Sequence, residues 1–209
     1  MIYLASDLHL VKYKDGYVYI NQETFNTMMK WEPITESDQL IYLGDLMDAE
    51  INPTYYEAIW NALKSKIEKS SMNIFIRGNN DTLPDSFYKK LGFSKVVFGT
   101  RVVINRENIL LSHTSVNIER SCDIDFNIHG HIHRPNVDPD GIPYYHFCKN
   151  NINLCTKDLR QHRLTCINDI NLKVERTRNL MFDPLQTEKP GMSQFIQNQV
   201  YDLLENGDY

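Results

Sequence analysis

Five short polar motifs carry the residue types that bind divalent metal ions, and each motif directly follows an apolar run. In chain order they are Asp7-Leu8-His9, Gly44-Asp45-Leu46-Met47-Asp48, Gly78-Asn79-Asn80-Asp81, Ser112-His113 and Gly130-His131-Ile132-His133. Carboxylate, imidazole and amide-oxygen ligands suit divalent ions such as Mn, Fe, Zn or Ni. Two such ions can share a bridging carboxylate and stabilise the charge that develops during phosphoryl transfer. One motif of this kind arises easily by chance, but the whole succession predicts a metal-dependent active site.

The apolar runs before the motifs are typical of strands that are buried on both faces. They occupy residues 2–6, 39–43, 73–76, 109–112 and 124–128. Apolar residues at helical spacing predict helices at residues 24–31 and 54–67. Alternating strands and helices predict an α/β fold, in which ligands bind at the carboxyl ends of the strands. The motifs are therefore expected to converge at one edge of the fold.

The remaining segments carry weaker patterns. Residues 96–98 and 102–104, on either side of Gly99-Thr100-Arg101, predict a hairpin. Lys12, Lys14 and Asp15 are expected in a loop after the first motif, where loops commonly shape a substrate pocket. Beyond the fifth motif we predict strands at 142–147 and 152–155, a helix at 167–180, a loop at 184–191 and an amphipathic helix after Ser193. That last helix would pack either on the core or against another subunit.

The composition is that of a soluble protein with a modest negative charge. The 209 residues include 22 Lys and Arg and 27 Asp and Glu, so the net charge is -5 and long-range attraction to nucleic acid is weak. Because neither a long apolar run nor a signal-peptide pattern occurs, we expect a cytoplasmic location. The four cysteines are then expected to be reduced thiols, with a zinc site as the alternative. Its ligands would be Cys148, Cys155, His162 and Cys166.

The five motifs, in this order, resemble the pattern of the calcineurin-like metallophosphoesterase superfamily, which reads D-x-H, G-D-x-x-D, G-N-H-D/E, a lone His and G-H-x-H. The resemblance covers residues 1 to about 135, and residues 151–165 are similar to the closing strand of small bacterial and phage members. It implies an αββα sandwich of two central mixed sheets flanked by helices. The metallophosphoesterase domain would span residues 1–181, followed by an extension at 182–209 with a loop and an amphipathic helix.

The resemblance also implies a role for each ligand. One metal ion would be held by Asp7, His9 and His133 and the other by Asn79, His113 and His131, with Asp45 bridging the two. A hydroxide between the ions would attack phosphorus in line. The cofactor is expected to be two divalent ions, manganese first, with Fe, Ni or Zn as alternatives. His129, directly before the fifth motif, is a candidate for orienting a ligand.

Asn80 departs from the family pattern, which has His at this position. In the family that His pairs with the last Asp of the second motif, here Asp48, and is thought to protonate the leaving oxygen. An amide cannot act as a general acid at neutral pH, although it donates hydrogen bonds. We therefore predict catalytic roles for Asn80 and Asp48, with Asn80 donating a hydrogen bond to phosphate. Arg77 is a second substrate-binding candidate, although an arginine at a strand end is more often structural.

These residues predict a hydrolase that cleaves a phosphodiester in a nucleotide or another small phosphorylated molecule. The missing acid favours diesters or easy leaving groups over general phosphomonoesters. A phosphomonoesterase or a nuclease of the same family is the alternative, with nucleic acid the less favoured substrate because the basic residues are interleaved with acids. The alternative from another class is an inactive interaction scaffold, which is disfavoured because no ligand position is lost. No membrane partner is expected.

Overall fold

Two stacked β-sheets form the centre of the fold. The computed structural model of the chain describes residues 1–47, 53–70, 72–114, 116, 123–131, 151–153, 164–170, 199–200 and 202–203. The strands are β1 (Ile2–Ala5), β2 (Val11–Lys14), β3 (Tyr17–Ile20), β4 (Gln39–Leu43), β5 (Ile74–Ile76), β6 (Lys95–Val97), β7 (Gly99–Ile104), β8 (Glu107–Ser112), β9 (Phe126–His129), β10 (Asn151–Asn153) and β11 (Thr165–Cys166). The helices are α1 (Gln22–Met29), α2 (Pro53–Ile67) and α3 (Asp85–Lys90), and a 3-10 turn follows at Ile167–Asp169.

The first sheet has the strand order β11-β1-β4-β5-β6. Strands β1, β4, β5 and β6 are parallel, and β11 is antiparallel to β1. Because side chains alternate along a strand, each central strand contributes to two cores. Leu4, Ile41 and Ile76 pack with residues of the second sheet, whereas Tyr42 and Phe75 pack with residues of the helices. Burial on both faces explains why these strands are continuous apolar runs.

The second sheet has the order β10-β9-β8-β7, with β7 antiparallel to β8 and the other pairs parallel. Ile109, Leu111 and Ile128 pack against the first sheet. Leu110, on the opposite face, packs with Val200, which belongs to a helical segment at residues 199–200 and 202–203. The layers therefore follow the predicted αββα order, and at Val200 the C-terminal helix packs on the core.

The hairpin predicted at residues 96–104 is wrong. Strand β6 pairs with β5 in the first sheet and β7 pairs with β8 in the second, so the chain crosses between the sheets at Phe98. The tight turn lies instead at Asn105 and Arg106, whose φ angles are 53° and 72°. Two residues with positive φ give the turn geometry that best matches the twist of paired strands, and this turn joins β7 to β8.

A hairpin also replaces the loop that was expected after the first motif. Strands β2 and β3 pair antiparallel around Asp15 and Gly16, which have φ angles of 52° and 84°. Asp-Gly between alternating apolar residues is a strong hairpin signal, and the expectation of a loop overlooks it. Helix α3 is likewise absent from the sequence predictions, and the helix predicted from residue 167 begins as a 3-10 turn.

Some predictions concern residues outside the described part of the chain. They involve Asp48, His133, His162, the strand at 142–147, the loop at 184–191, and the thiols of Cys122, Cys148 and Cys155. Cys166 is a free thiol. The other three ligands of the alternative zinc site lie outside the described residues, so that site stays a prediction. Among the described helices, none combines the length and the apolar character that a membrane crossing requires.

Candidate metal centre

Each described candidate ligand lies within four residues after the end of a strand. Asp7 and His9 follow β1, Asp45 follows β4, Asn79 follows β5, His113 follows β8 and His131 follows β9. Since β1, β4 and β5 run parallel to one another, as do β8 and β9, each sheet presents its carboxyl ends together. The motifs from the two sheets meet at one edge of the sandwich.

The ligand atoms form two groups that share one residue. Asp7, His9 and Asp45 offer atoms that all lie within 4.8 Å of one another, and Asp45, His113 and His131 do the same. The His9 Nε2 atom lies 3.9 Å from Asp7 Oδ1 and 3.9 Å from Asp45 Oδ2. The His113 Nε2 atom lies 3.4 Å from the same Asp45 Oδ2. The Asp45 carboxylate thus lies between the two groups.

Asn79 belongs to the second group. Its side-chain oxygen lies 2.9 Å from His113 Nε2, and the rings of His113 and His131 are 5.0 Å apart between centroids. On the other side of its ring, His113 Nδ1 lies 2.8 Å from the carbonyl oxygen of Leu43. A hydrogen on Nδ1 would satisfy that carbonyl and leave Nε2 as the nitrogen that can bind a metal.

Four candidate ligands have a left-handed backbone, which is uncommon for residues other than glycine. The φ angles are 55° at Asp7, 41° at His9, 56° at Asp45 and 70° at His131. Such conformations cost about 1–3 kcal/mol each and persist only where the surroundings enforce them. Here the first two motifs hold each other. The amide of Asp7 donates a 3.0 Å hydrogen bond to the carbonyl of Gly44, and the amide of His9 donates one of 3.0 Å to the carbonyl of Asp45.

Gly44 shows how closely these segments approach. Its φ is 82°, and a Cβ at this position would lie 2.5 Å from His113 Nδ1 and 2.7 Å from the Gly78 nitrogen. Both distances are well inside van der Waals contact, so only glycine fits between the motifs without displacing them. The glycine that begins the second motif therefore lets motifs from both sheets converge.

Asp81 is a functional candidate to which the sequence analysis assigns no role. Its buried carboxylate accepts hydrogen bonds from the amides of Gly78 (2.7 Å), Asp45 (2.7 Å) and Leu46 (3.1 Å). These donors lie on the two segments that carry Asp45 and Asn79, so Asp81 joins them. Its place at the end of the third motif is the signal that could have drawn attention to it.

Two further buried groups support the ligand segments. The hydroxyl of Tyr42 accepts a 2.9 Å hydrogen bond from the amide of Leu8, which lies between Asp7 and His9. His129 is buried, and its Nδ1 lies 2.8 Å from the carbonyl oxygen of Gly130. The amide of His131 donates to both oxygens of Asp7, at 3.0 and 3.1 Å.

Asn80 and Arg77, the predicted substrate-binding residues, lie in different surroundings. Asn80 donates to the Asp45 carboxylate twice, from its backbone amide at 3.0 Å and from its side-chain nitrogen at 2.8 Å. The Arg77 guanidinium instead donates to the carbonyls of Asp81 (2.7 Å) and Leu83 (2.8 Å) and pairs with Asp85. Arg77 would have to exchange these partners to bind phosphate, so its role stays a prediction.

The site is a network of buried charges. Burial acts to raise the pKa of Asp45, but the charge and hydrogen bond of His113 and the charge of His9 lower this pKa well below its usual range. Burial also opposes the charged form of His113, yet Asp45 raises the pKa of His113 to about 10. Burial and the Asp45 charge raise the pKa of Asp81 to about 7. Asp45 and His113 therefore form a buried ion pair.

The donor set fits divalent cations. It comprises the carboxylates of Asp7 and Asp45, the imidazoles of His9, His113 and His131, and the amide oxygen of Asn79. Oxygen and imidazole ligands together suit borderline divalent metals. Asp7 and Asp45 are 0% and 1% exposed, and two carboxylates buried so close together favour a compensating positive charge.

The chain is similar to one known protein family and to several solved structures. The model of the calcineurin-like phosphoesterase family matches residues 1–188. A protein of unknown function from Aquifex aeolicus is 20% identical, with a TM-score of 0.52 over 78% of this chain and 94% of that one. The nuclease MPE of Pseudomonas putida is 19% identical, with a TM-score of 0.44 over 68% and 66%. An archaeal phosphodiesterase is 18% identical, with a TM-score of 0.37 over 74% and 84%. No curated protein matches the sequence.

Proposed function

The chain belongs to the calcineurin-like phosphoesterase family, and from that premise we propose that it hydrolyses phosphodiesters at a centre of two metal ions. Membership makes it a phosphoesterase of a metal-dependent family that acts on phosphorylated substrates. The observation that carries the proposal is the position of Asp45, whose carboxylate belongs to both groups of candidate ligands, within 4.8 Å of the other ligand atoms in each.

The proposed assignment places one ion with Asp7, His9 and Asp45 and the other with Asp45, Asn79, His113 and His131. His133 would complete the first group, and it lies outside the described residues. Bound cations would supply the chemistry of activating water and neutralising the charge on phosphate. Manganese is the proposed ion, because the carboxylate and amide oxygens of the candidate ligands suit it.

The preference for diesters rests on Asn80. Its side-chain nitrogen lies 2.8 Å from Asp45, so this amide is at the edge of the site and can turn to donate a hydrogen bond to a phosphate oxygen. An amide has no proton to transfer to a leaving alkoxide at neutral pH. Asn80 would therefore orient the substrate, and the reaction would favour leaving groups that depart without a proton.

The test compares a diester with a monoester that has the same chromophore. We expect the protein loaded with Mn to hydrolyse bis-p-nitrophenyl phosphate faster than p-nitrophenyl phosphate, and EDTA to abolish both activities. A monoester cleaved far faster would contradict the proposed preference for diesters. A protein that binds Mn but cleaves neither ester would favour the interaction scaffold.

A further inference from the structure

A buried asparagine interrupts an apolar face of strand β9. Asn127 is fully buried and pairs with Leu110 of β8 in the parallel register. Since paired residues point to the same side of a sheet, Asn127 lies on the outer face of the second sheet, where Leu110 packs with Val200. An amide side chain buried among apolar residues costs free energy unless its polar atoms are hydrogen-bonded. The partners of these atoms therefore indicate what the residue does.

The hydrogen bonds of the Asn127 side chain go to β8 and to the loop that follows it. The Nδ2 atom donates to the carbonyl of Leu110 at 3.2 Å and to the hydroxyl of Ser112 at 2.7 Å. The Oδ1 atom accepts from the amide of Val116 at 3.2 Å. A backbone carbonyl only accepts and a backbone amide only donates, so these partners fix the orientation of the side chain. Asn127 thus connects the residues on both sides of His113.

Ser112 extends this network to the residue that follows His113. Its hydroxyl accepts the hydrogen bond from Asn127 and donates one of 2.8 Å to the carbonyl of Thr114. The carbonyl of His113 itself accepts a 3.0 Å hydrogen bond from the amide of Gly130. The side chains that make this network are buried, where hydrogen bonds are stronger than in water. The backbone around the candidate ligand is therefore held from β9 and from the residue that follows it.

We propose that Asn127 and Ser112 are positioning residues for His113, because their side chains fix the backbone from which this imidazole reaches the second group of candidate ligands. The inference rests on the proposed two-metal centre and adds the groups that orient one of its ligands. The ring Nδ1 lies 2.8 Å from the carbonyl of Leu43, so the metal-binding nitrogen is Nε2, on the far side of the ring from the backbone. A small rotation of that backbone would displace it.

Asn73 provides a matched control for Asn127. It is also a buried asparagine, and it directly precedes β5. Its side chain accepts a 3.2 Å hydrogen bond from the amide of Leu40 and donates one of 3.0 Å to the carbonyl of Ile67. The candidate ligands follow the opposite ends of the strands, so Asn73 lies away from them. Asn127→Ala and Asn73→Ala should both destabilise the protein, but only Asn127→Ala should change metal binding.

Titration of the metal-free protein with Co²⁺ measures this difference without turnover. Co²⁺ binds to imidazole and oxygen ligands, and its visible absorption reports the geometry of those ligands. We expect the wild-type chain to bind two ions. Groups that orient a ligand are worth about 10–100-fold in metal affinity, so Asn127→Ala should raise Kd for one ion at least about tenfold and shift its absorption band. Asn73→Ala should change Kd less than about twofold and leave the band in place, because it orients no ligand.

Ser112→Ala is a milder variant, which tests the network even if Asn127→Ala folds poorly. It removes one hydroxyl and leaves the other two hydrogen bonds of the Asn127 side chain in place. We expect Kd for the same ion to rise about three- to tenfold, the equivalent of one hydrogen bond. Ser70→Ala is its control, because the Ser70 hydroxyl is also buried and donates 2.6 Å to the carbonyl of Asp38, at the opposite end of β4 from Asp45.

The outcomes separate the positioning role from the proposed function. Unchanged Co²⁺ binding in both Asn127→Ala and Ser112→Ala, or equal weakening in Asn127→Ala and Asn73→Ala, would overturn the positioning role alone. A wild-type chain that binds one ion or none would overturn the two-metal centre and this inference with it. If wild type binds two ions but cleaves no diester, the proposed reaction fails, whereas one weakened ion in Asn127→Ala and not in Asn73→Ala still supports the positioning role.

Discussion

At the scale of single residues, the Asp45 side chain connects both groups of candidate ligands. Its Oδ2 lies 3.9 Å from His9 Nε2 and 3.4 Å from His113 Nε2. Asp45→Asn keeps the shape but removes the negative charge that two cations would share. We expect kcat to fall at least about a hundredfold, since bound metal contributes several kcal/mol to transition-state stabilisation. Steady-state rates and metal content by elemental analysis measure the effect.

Asp38→Asn is the control for that substitution. Asp38 is also a poorly exposed carboxylate, but it precedes β4 at the opposite end of the strand, where it pairs with the N-terminus at 2.6 Å. This variant should lose stability while it keeps its metal content. A protein with Asn at position 45 that held two ions and turned over normally would rule out the bridging role.

Asn80 permits a gain-of-function prediction. Asn80→His restores a group that can donate a proton, and general acids contribute about 10²–10⁴-fold to such reactions. We expect hydrolysis of an alkyl phosphate monoester, whose leaving group needs a proton, to rise at least about tenfold. Asn80→Ala separates this gain from simple loss of the hydrogen bond to Asp45. An unchanged monoesterase rate in the histidine variant would mean that Asp48 is not placed to support the imidazole.

The hydrogen bonds that the Asp81 carboxylate accepts are visible only in the structure. Asn at this position has one acceptor oxygen, so its amide group would face an amide N–H that now has a partner. We expect Asp81→Asn to reduce the free energy of unfolding by about 1–3 kcal/mol. Because the affected amides lie beside Asp45 and Asn79, Mn affinity should also fall about 10–100-fold. Denaturant titration and calorimetry test the two effects, and an unchanged Mn affinity would show that Asp81 acts on stability alone.

At the scale of elements, the turn between β7 and β8 carries removable strain. Arg106 is exposed with a φ of 72°, and such a conformation costs a non-glycine residue about 1–2 kcal/mol. Arg106→Gly also creates the Asn-Gly pair that two-residue hairpin turns prefer. We expect a net gain of about 0.5–1 kcal/mol, seen as a higher midpoint in urea. Arg106→Ala keeps Cβ and should give no gain in stability. An equal gain in that variant would mean that loss of the arginine side chain, and not relief of backbone strain, stabilises the protein.

The same elements show what the sequence could and could not predict. The runs before the motifs could be predicted as strands because burial on both faces requires a continuous run of apolar residues. Strand β4 matches its predicted bounds of 39–43. The partner of a strand leaves no such signal, since Val96 and Val102 are equally apolar whether they pair with each other or join different sheets. The ligand motifs were visible because the chemistry restricts residue type. The backbone bonds to Asp81 and the left-handed φ angles were not, because they depend on neighbours distant in sequence.

At the scale of the whole molecule, we expect cation binding and folding stability to be coupled through His113. Because Asp45 raises the pKa of His113 above the ordinary 6.5, to about 10, the ion pair stabilises the cation-free fold fully below pH 6.5. This contribution is lost as pH rises through the raised pKa. Asp45, whose pKa is lowered, stays charged throughout this window. A histidine binds a metal ion through its neutral imidazole, so binding at the proposed centre would displace the His113 proton.

The increase in Tm on adding saturating Mn should therefore grow from pH 6.5 to pH 8.5. Higher pH weakens the ion pair in the cation-free state and removes the proton that competes with the metal. Ligand binding to the folded state raises the free energy of unfolding with the logarithm of the ratio of free Mn concentration to Kd. Scanning calorimetry at several pH values therefore measures how strongly Mn binding depends on pH. Titration calorimetry in two buffers of different ionisation enthalpy should show net proton release near pH 7. A Tm increase that stays flat or shrinks as pH rises would mean that Mn binds without displacing the His113 proton.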